Sequence, residues 1–301
     1  MFNNINKNKI ESGFIVSIFL IIITLIIYYI CHALKLGSLS IIIALVFSFC
    51  TTFFSYYYSD KIVLTLNGAR PATREEDLQV VNILDALMIP AGLTHKPKLY
   101  VVDDPSPNAF ATGRNPKNAV ICVTTGLLNI LDYYELEGVI AHELSHIANY
   151  DIRLSCIVSV MVGFIVMISD IFTRSLFFGG SNQDNDNDSK GGAIFMILGL
   201  IALILSPILG SLMQLALSRK REFLADATAA SFTRNPDGLI SALLKLESNS
   251  NQLNNANSAT ANMYIVNPFK KQANGENKKP SNLWSTHPSI EDRVNALKNF
   301  N

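Results

Sequence analysis

The sequence has little charge and no excess of either sign. Of its 301 residues, 16% are Asp, Glu, Lys or Arg, whereas soluble domains usually contain about 25%. The 24 basic residues balance the 24 acidic ones. The low charge, together with 49% hydrophobic residues, excludes an intrinsically disordered chain and argues against a simple cytosolic enzyme. The zero net charge excludes a strongly basic nucleic-acid binder, so we expect no nucleic-acid partner.

The few cysteines lack the spacing of a metal site or of a disulfide framework. None of the four belongs to a CxxC pair, and three of them lie in apolar runs. We therefore expect neither a cysteine zinc site nor a disulfide-stapled fold. The four are Cys31, Cys50, Cys122 and Cys156.

Long apolar runs account for the missing charge. Four stretches contain no Asp, Glu, Lys or Arg, namely residues 14–30, 41–54, 154–169 and 193–217. A membrane-spanning helix takes about 20 residues, and three of the stretches, with their flanks, reach this length, whereas Asp170 shortens 154–169. The first stretch has no cleavage site of small residues and is followed at once by the second, so we interpret it as a retained anchor. The pattern predicts four transmembrane helices in two hairpins.

Basic residues flank the predicted spans on one side. Lys and Arg occur before the first span, after the second and after the fourth, whereas the turns inside the two hairpins contain only Lys35 and Lys190. Because positive residues stay on the cytoplasmic side, we predict that both termini and both long polar segments are cytoplasmic.

The first polar segment predicts a small sheet. Residues 98–103 and 119–124 have the composition of strands, and a turn signal lies between them at Asn115. We therefore expect a small antiparallel sheet with a hairpin near Asn115.

Helices are predicted in both polar segments. Asp132 and Glu135 have the spacing of a capping box, which begins a helix that continues through His146. Apolar periodicity predicts the remaining helices at 74–88, at 219–232, from Pro236 onward and at 289–300, with an Asn-rich loop at 249–262.

His142-Glu143-Leu144-Ser145-His146 has the pattern H-E-x-x-H. Residues four apart share a helix face, so both imidazoles can bind one metal ion. Glu143 is rotated from that face by about 100°, which places its carboxylate beside the metal, where it can act as a general base. Two imidazoles with an open position suit a catalytic zinc ion, one per chain. The alternative is an amphipathic helix with two surface histidines.

A catalytic zinc ion needs a third protein ligand, and the membrane hairpin points to Glu222. No histidine follows His146 until His287. His146 lies just before the third predicted span and Glu222 just after the fourth, so the hairpin brings both to one side of the membrane. Asp226, four residues further on the same helix face, can accept a hydrogen bond from a ligand histidine. The alternative is that Glu222 only belongs to a juxtamembrane charge cluster.

These motifs together resemble the HtpX-type membrane zinc endopeptidases, which are related to the CAAX prenyl proteases. The resemblance extends over nearly the whole chain. It implies a membrane α-helical protein with an α+β zincin (gluzincin) catalytic domain, a zinc cofactor and turnover of damaged or misfolded membrane proteins at a bacterial inner membrane. The residues that carry it are the H-E-x-x-H motif with Asp151, Arg221-Glu222-Phe223-Leu224-Ala225-Asp226, Asn108-Ala109-Phe110-Ala111 and Thr286-His287-Pro288-Ser289.

The resemblance also implies roles for residues far from the metal motifs. His287 is expected to face the cleft and stabilise the oxyanion, and the alternative is a surface histidine before a helix. Arg293 is either an ion-pair partner or a substrate contact. Asn108 and Ala109 are expected to border the substrate, and a peptide that adds to this sheet edge as an extra strand would be bound with loose sequence preference.

The predicted organisation divides the catalytic domain between two membrane hairpins. Its partners are peptide or protein substrates and the lipid bilayer, and the sequence does not reveal an oligomeric state. The predicted parts are an N-terminal hairpin (1–59), a first catalytic part (60–153), a second hairpin (154–217) and a second catalytic part (218–301).

Two other functions are compatible with parts of the pattern. An intramembrane protease would need the H-E-x-x-H motif inside a span, whereas the region around this motif carries acidic residues. A non-catalytic zinc-binding scaffold or chaperone would keep the metal ligands but would not hydrolyse peptides. Zinc content and proteolysis distinguish these functions from a zinc endopeptidase.

Overall fold

A computed structural model describes residues 2–33, 37–178, 219–248, 260–266 and 288–299. The protein is mostly helical, with one small sheet. The helices are α1 (Phe2–Ala33), α2 (Leu39–Tyr57), α3 (Ser59–Leu66), α4 (Arg74–Met88), α5 (Thr125–Ile130), α6 (Tyr133–Ala148), α7 (Asp151–Phe178), α8 (Arg219–Thr233), α9 (Pro236–Ser248) and α10 (Ile290–Lys298). The strands are β1 (Arg70–Pro71), β2 (Lys98–Val102), β3 (Ala109–Thr112) and β4 (Val120–Thr124).

Two described helices are long and apolar enough to cross a membrane. They are Asn8–Tyr29 within α1 and Leu39–Tyr57, which is α2. A third candidate consists of α6 and the first part of α7 taken together, bent by 84° where they meet. The fourth predicted span, 193–217, lies outside the described residues.

Helix α1 packs along α7. Ile15, Phe19 and Ile23 on α1 form a buried cluster with apolar residues of α7 such as Leu154 and Val158. Other large apolar side chains of α1 and α2 are exposed, as expected for side chains that face lipid. The contact fixes the N-terminal helix against the helix that follows the H-E-x-x-H motif.

The sheet is mixed, and the prediction of an antiparallel sheet is wrong for its central pair. The strand order is β1-β2-β4-β3, in which β2 and β4 run parallel and the two outer pairs run antiparallel. The strands predicted at 98–103 and 119–124 are this parallel pair. Residues 103–119 between them leave room for a crossover that includes β3, and the hairpin at Asn115 joins β3 to β4.

Helix α6 lies at the centre of the main hydrophobic core. Its predicted capping box is confirmed: the Glu135 N–H donates to Asp132 over 3.0 Å, and the Asp132 N–H donates to Glu135 over 2.9 Å. The Glu135 carboxylate also accepts bonds of 2.6 Å from Ser241 and Lys245 on α9. The main hydrophobic core surrounds α6 with residues from the sheet and from α4, α8, α9 and α10.

Gly138 allows α6 and α9 to touch through their backbones. A Cβ at this position would lie 2.7 Å from the Leu239 nitrogen and 2.8 Å from its Cα. We expect Gly138→Ala to push α9 away and to lower the free energy of unfolding by about 1–3 kcal/mol. Gly13→Ala is the matched control, because a Cβ at helical Gly13 meets nothing within 4 Å. Denaturant unfolding of detergent-solubilised protein measures both, and equal stabilities would contradict the prediction.

Candidate active site

Helix α6 brings its two motif histidines to one point. The Nε2 atoms of His142 and His146 are 3.2 Å apart, and the two rings are nearly perpendicular. His142 is buried, whereas the His146 side chain keeps 16% of its surface exposed. The i and i+4 spacing therefore places both rings on one face of α6, with their Nε2 atoms close together.

Glu222 of α8 completes a three-residue cluster with these histidines. Its carboxylate oxygens lie 3.7 Å from Nε2 of His142 and 3.7 Å from Nε2 of His146. In the part of the chain that the structure describes, this is the one group of three such side chains whose ligand atoms all lie within 4.8 Å of one another. Two imidazoles and one carboxylate are a donor set that suits a catalytic metal with an open position.

Each motif histidine is paired with a carboxylate through its Nδ1 atom. Nδ1 of His142 lies 2.9 Å from Asp226, and Nδ1 of His146 lies 3.0 Å from Asp151. An ionised carboxylate only accepts hydrogen bonds, so Nδ1 is the nitrogen that donates in each pair, and Nε2 is the nitrogen on the side of Glu222 that a metal could bind. Sequence reasoning assigned no such role to Asp151, although its position one turn after His146, at the start of the next helix, was a usable signal.

Arg293 of α10 is paired with Asp226. Two guanidinium nitrogens lie 2.7 and 2.8 Å from the carboxylate, and a third donates to the Ile265 carbonyl over 3.1 Å. The side chains of Arg293 and Asp226 are 1% and 2% exposed, respectively. Burial alone would raise the pKa of Asp226, but the charge of Arg293 holds that pKa below its usual value. Of the two roles expected for Arg293, its contacts in the structure are those of an ion pair.

Glu143 lines the cleft together with His146 and Glu222. Its side chain is 2% exposed, and burial raises its pKa to about 7. A hydrogen bond from the Ala111 backbone on β3 favours the ionised carboxylate and lowers this pKa. A carboxylate whose pKa is near neutrality can accept a proton and release it again, as general acid–base chemistry requires.

The chain's own segment Thr260–Val266 forms a wall of the cleft beside β3. The Ile265 N–H donates to the Ala109 carbonyl over 2.9 Å, and the Asn108 side chain donates to the Val266 carbonyl over 2.8 Å. Asn108 and Ala109, which were expected to border the substrate, thus contact this segment. Thr260 and Asn262 are buried, although they lie at the end of a stretch predicted as an Asn-rich loop. The apolar residues that follow them in the sequence were the available signal that this part of the chain packs against the core.

One further residue, His287, was expected to face the cleft. His287 lies outside the described residues, so its expected role stays a prediction. The cleft itself is lined by residues of β3, α6, α7, α8 and the 260–266 segment, including Ala111, Glu143, Ser155 and Met263. The site is therefore assembled from parts of the chain that are far apart in sequence.

Comparison with known proteins agrees with this geometry. The sequence profile of peptidase family M48 matches residues 74–301. The chain belongs to peptidase family M48. It is an enzyme, a membrane metallopeptidase with a metal cofactor, rather than the non-catalytic scaffold considered above.

Relatives of this M48 peptidase match it along almost its whole length. A "Protease HtpX homolog" of Dictyoglomus thermophilum is 45% identical over 98% of this chain and 93% of its own. A protein of the same description from Streptococcus gordonii is 40% identical over 99% of each chain. The resemblance to HtpX-type peptidases is thereby confirmed. The crystal structure of S. mikatae Ste24p aligns with 95% of this chain and 62% of its own, at 21% identity and a TM-score of 0.49.

The buried ion pair at the site predicts a large loss of stability when it is broken. We expect Arg293→Ala to lower the free energy of unfolding by about 3–5 kcal/mol, because the buried Asp226 charge then loses the guanidinium that neutralises it. Arg70→Ala is the matched control: Arg70 also bonds two carboxylates, Glu76 and Asp103, but its side chain is 35% exposed. The control should lose about 1 kcal/mol or less.

Denaturant titrations of the two metal-free variants measure this difference. If Arg293→Ala lowers the free energy of unfolding as little as Arg70→Ala does, the buried Asp226–Arg293 pair does not stabilise the fold around the site.

Proposed function

We propose that this M48 metallopeptidase is a zinc endopeptidase that holds one zinc ion per chain with His142, His146 and Glu222. The observation that carries the proposal is the convergence of their three ligand atoms. Two nitrogens bound tetrahedrally to zinc lie about 3.3 Å apart, since each Zn–N distance is about 2.0–2.1 Å. The two Nε2 atoms are 3.2 Å apart, so this donor set fits zinc with little rearrangement.

The chain's own residues supply the proton chemistry. Bound zinc would polarise the scissile carbonyl and lower the pKa of the attacking water. Glu143 accepts the proton of that water and then delivers it to the leaving amine, a task to which its raised pKa of about 7 is suited. Asp226 and Asp151 keep both ligand histidines in the tautomer that leaves Nε2 free. We further propose that His287 stabilises the oxyanion.

The substrate is proposed to lie along the edge of β3. Ala111 faces the cleft, and its backbone is close enough to bond Glu143. A peptide that pairs with this backbone would be held through its main chain, with loose sequence preference. Such binding suits misfolded or damaged membrane proteins, which offer extended segments of varied sequence. We propose that Asn108, Ala109 and Arg293 act on the substrate indirectly, by holding the 260–266 wall in place.

The proposed topology places this site on the cytoplasmic side of a bacterial inner membrane. The parts 1–59 and 154–217 would be membrane hairpins, and 60–153 with 218–301 would form the catalytic domain between them. The positive residues that flank the spans support this orientation. Glu222 in α8 lies next to the histidines of α6. This proximity supports a second hairpin that returns the chain to the same side of the membrane.

Replacing the general base and the third ligand should separate chemistry from metal binding. We expect Glu143→Gln to retain one equivalent of zinc and to lose at least about 100-fold in casein cleavage, because the proton acceptor is absent. We expect Glu222→Ala to lose both zinc and cleavage. Elemental analysis and a casein assay on purified full-length protein provide the measurements. Wild-type cleavage by Glu143→Gln, or full zinc retention by Glu222→Ala, would contradict the mechanism.

Loosening the cleft wall should weaken substrate binding without changing the metal site. We expect Asn108→Ala to raise KM for a model peptide about threefold to tenfold, because both bonds to Val266 are lost while kcat and zinc content stay close to wild type. Asn118→Ala is the control, since its side chain bonds only within the Asn115 turn. An unchanged or lower KM for Asn108→Ala would show that the wall does not position the substrate.

A further inference from the structure

The side chain of Asn8 is buried, although Lys9 and Ile10 beside it are exposed. It is 3% exposed and lies at the first residue of the candidate span Asn8–Tyr29 in α1. Polar side chains at such positions usually face water or the headgroups, so a buried amide needs hydrogen-bond partners in the protein. Its partners lie more than 140 residues away in the sequence.

The Asn8 amide bridges the corner between α6 and α7. Its Nδ2 donates to the Asn149 carbonyl over 2.9 Å and to Oδ1 of Asp151 over 2.6 Å. Asn149 is the C-cap residue directly after α6, and Asp151 is the first residue of α7. Tyr150 between them has a φ of 62°, in the left-handed region, so the corner is a conformation that the surrounding contacts must maintain.

The second oxygen of Asp151 holds the ligand histidine. Oδ2 of Asp151 lies 3.0 Å from Nδ1 of His146, whereas Oδ1 takes the bond from Asn8. The two bonds together leave the carboxylate little freedom to rotate. The Asn8 amide therefore fixes the acceptor that determines which way the His146 ring turns its Nε2.

Neighbouring contacts keep α1 at this corner. The Lys9 ammonium lies 4.4 Å from the centre of the Tyr150 ring, and the Glu11 carboxylate lies 3.6 Å from Arg221, the residue before Glu222. The Ser12 hydroxyl donates to the Asn8 carbonyl over 2.7 Å. Residue 8 precedes the segment matched by the family profile, which begins at residue 74.

We propose that Asn8 is a positioning residue for the metal centre, through which the N-terminal membrane anchor sets the orientation of His146 by way of Asp151. The anchor is then part of the metal site and not only a tether to the bilayer. This inference rests on the proposed ligand set of His142, His146 and Glu222. Loss of the Asn8 amide frees Asp151, so His146 binds metal less tightly and at a changed angle.

The test measures metal binding by the full-length, detergent-solubilised protein. The affinity for Zn²⁺ is determined by competition with a chromogenic chelator for the wild type, Asn8→Ala and Asn8→Asp. Asn8→Asp keeps the size of the side chain but removes the donor and adds a charge next to Asp151. We expect both variants to bind Zn²⁺ about tenfold more weakly, the lower end of the range for residues that support a metal ligand. Ser17→Ala removes the same kind of bond elsewhere on α1, from the Ser17 hydroxyl to the Gly13 carbonyl, and should bind as the wild type does.

A double-mutant cycle shows whether Asn8 acts through Asp151. Asp151→Ala alone should weaken Zn²⁺ binding about 10–100-fold, and adding Asn8→Ala to it should have no further effect. The visible bands of the Co²⁺-substituted protein provide a second readout, because they report the geometry of the ligands. We expect Asn8→Ala to shift these bands, which a loss of general stability alone would not do.

Each outcome separates this inference from the proposed function. Wild-type Zn²⁺ affinity with unchanged Co²⁺ bands in both Asn8 variants would overturn the role of Asn8, as would an equal loss on the Asp151→Ala background. Loss of zinc by Glu222→Ala would then still support His142, His146 and Glu222 as the ligands. A wild-type protein that binds no zinc would overturn the ligand set and this inference together.

Discussion

The hydrogen bonds from Nδ1 of the two motif histidines to carboxylates are the constraint on which the centre depends. Asp226 receives the bond of His142, and Asp151 receives that of His146. A ring nitrogen that carries a proton cannot bind metal, so these bonds select Nε2 for the ligand position. They also fix the ring orientations, which is why the two Nε2 atoms and Glu222 can converge at one point without large rearrangement.

Each of these carboxylates needs support of its own, since an ionised group in a buried position is costly without a partner. Asp226 is supported by Arg293 from α10, and Arg293 in turn bonds the 260–266 wall through Ile265. Asp151 is supported by Asn8 from α1. The site is thus connected outward to the C-terminal helix and to the N-terminal membrane anchor. Parts of the chain that are distant in sequence are held together by a few short polar contacts.

Local features of the sequence predicted much of this arrangement. The i and i+4 histidines, the capping box at Asp132 and the helix at 74–88 depend on neighbouring residues, and the structure has them where the sequence places them. The strands at 98–103 and 119–124 were located correctly, but their parallel pairing depends on β3, whose short Ala-Phe-Ala-Thr sequence gives little strand signal. The hydrogen bond of Thr260 to Asn67 joins residues almost 200 positions apart, and no local pattern indicates that partner. The same holds for Asn8.

Zinc-edge anomalous diffraction from crystals of the zinc-loaded, full-length protein tests the central claim most directly. The account predicts one anomalous peak per chain, at about 2.0–2.2 Å from Nε2 of His142, Nε2 of His146 and a carboxylate oxygen of Glu222. It also predicts that Asp226 and Asp151 remain bonded to the opposite nitrogens. A peak held by other residues, or coordination through Nδ1 of either histidine, would contradict it.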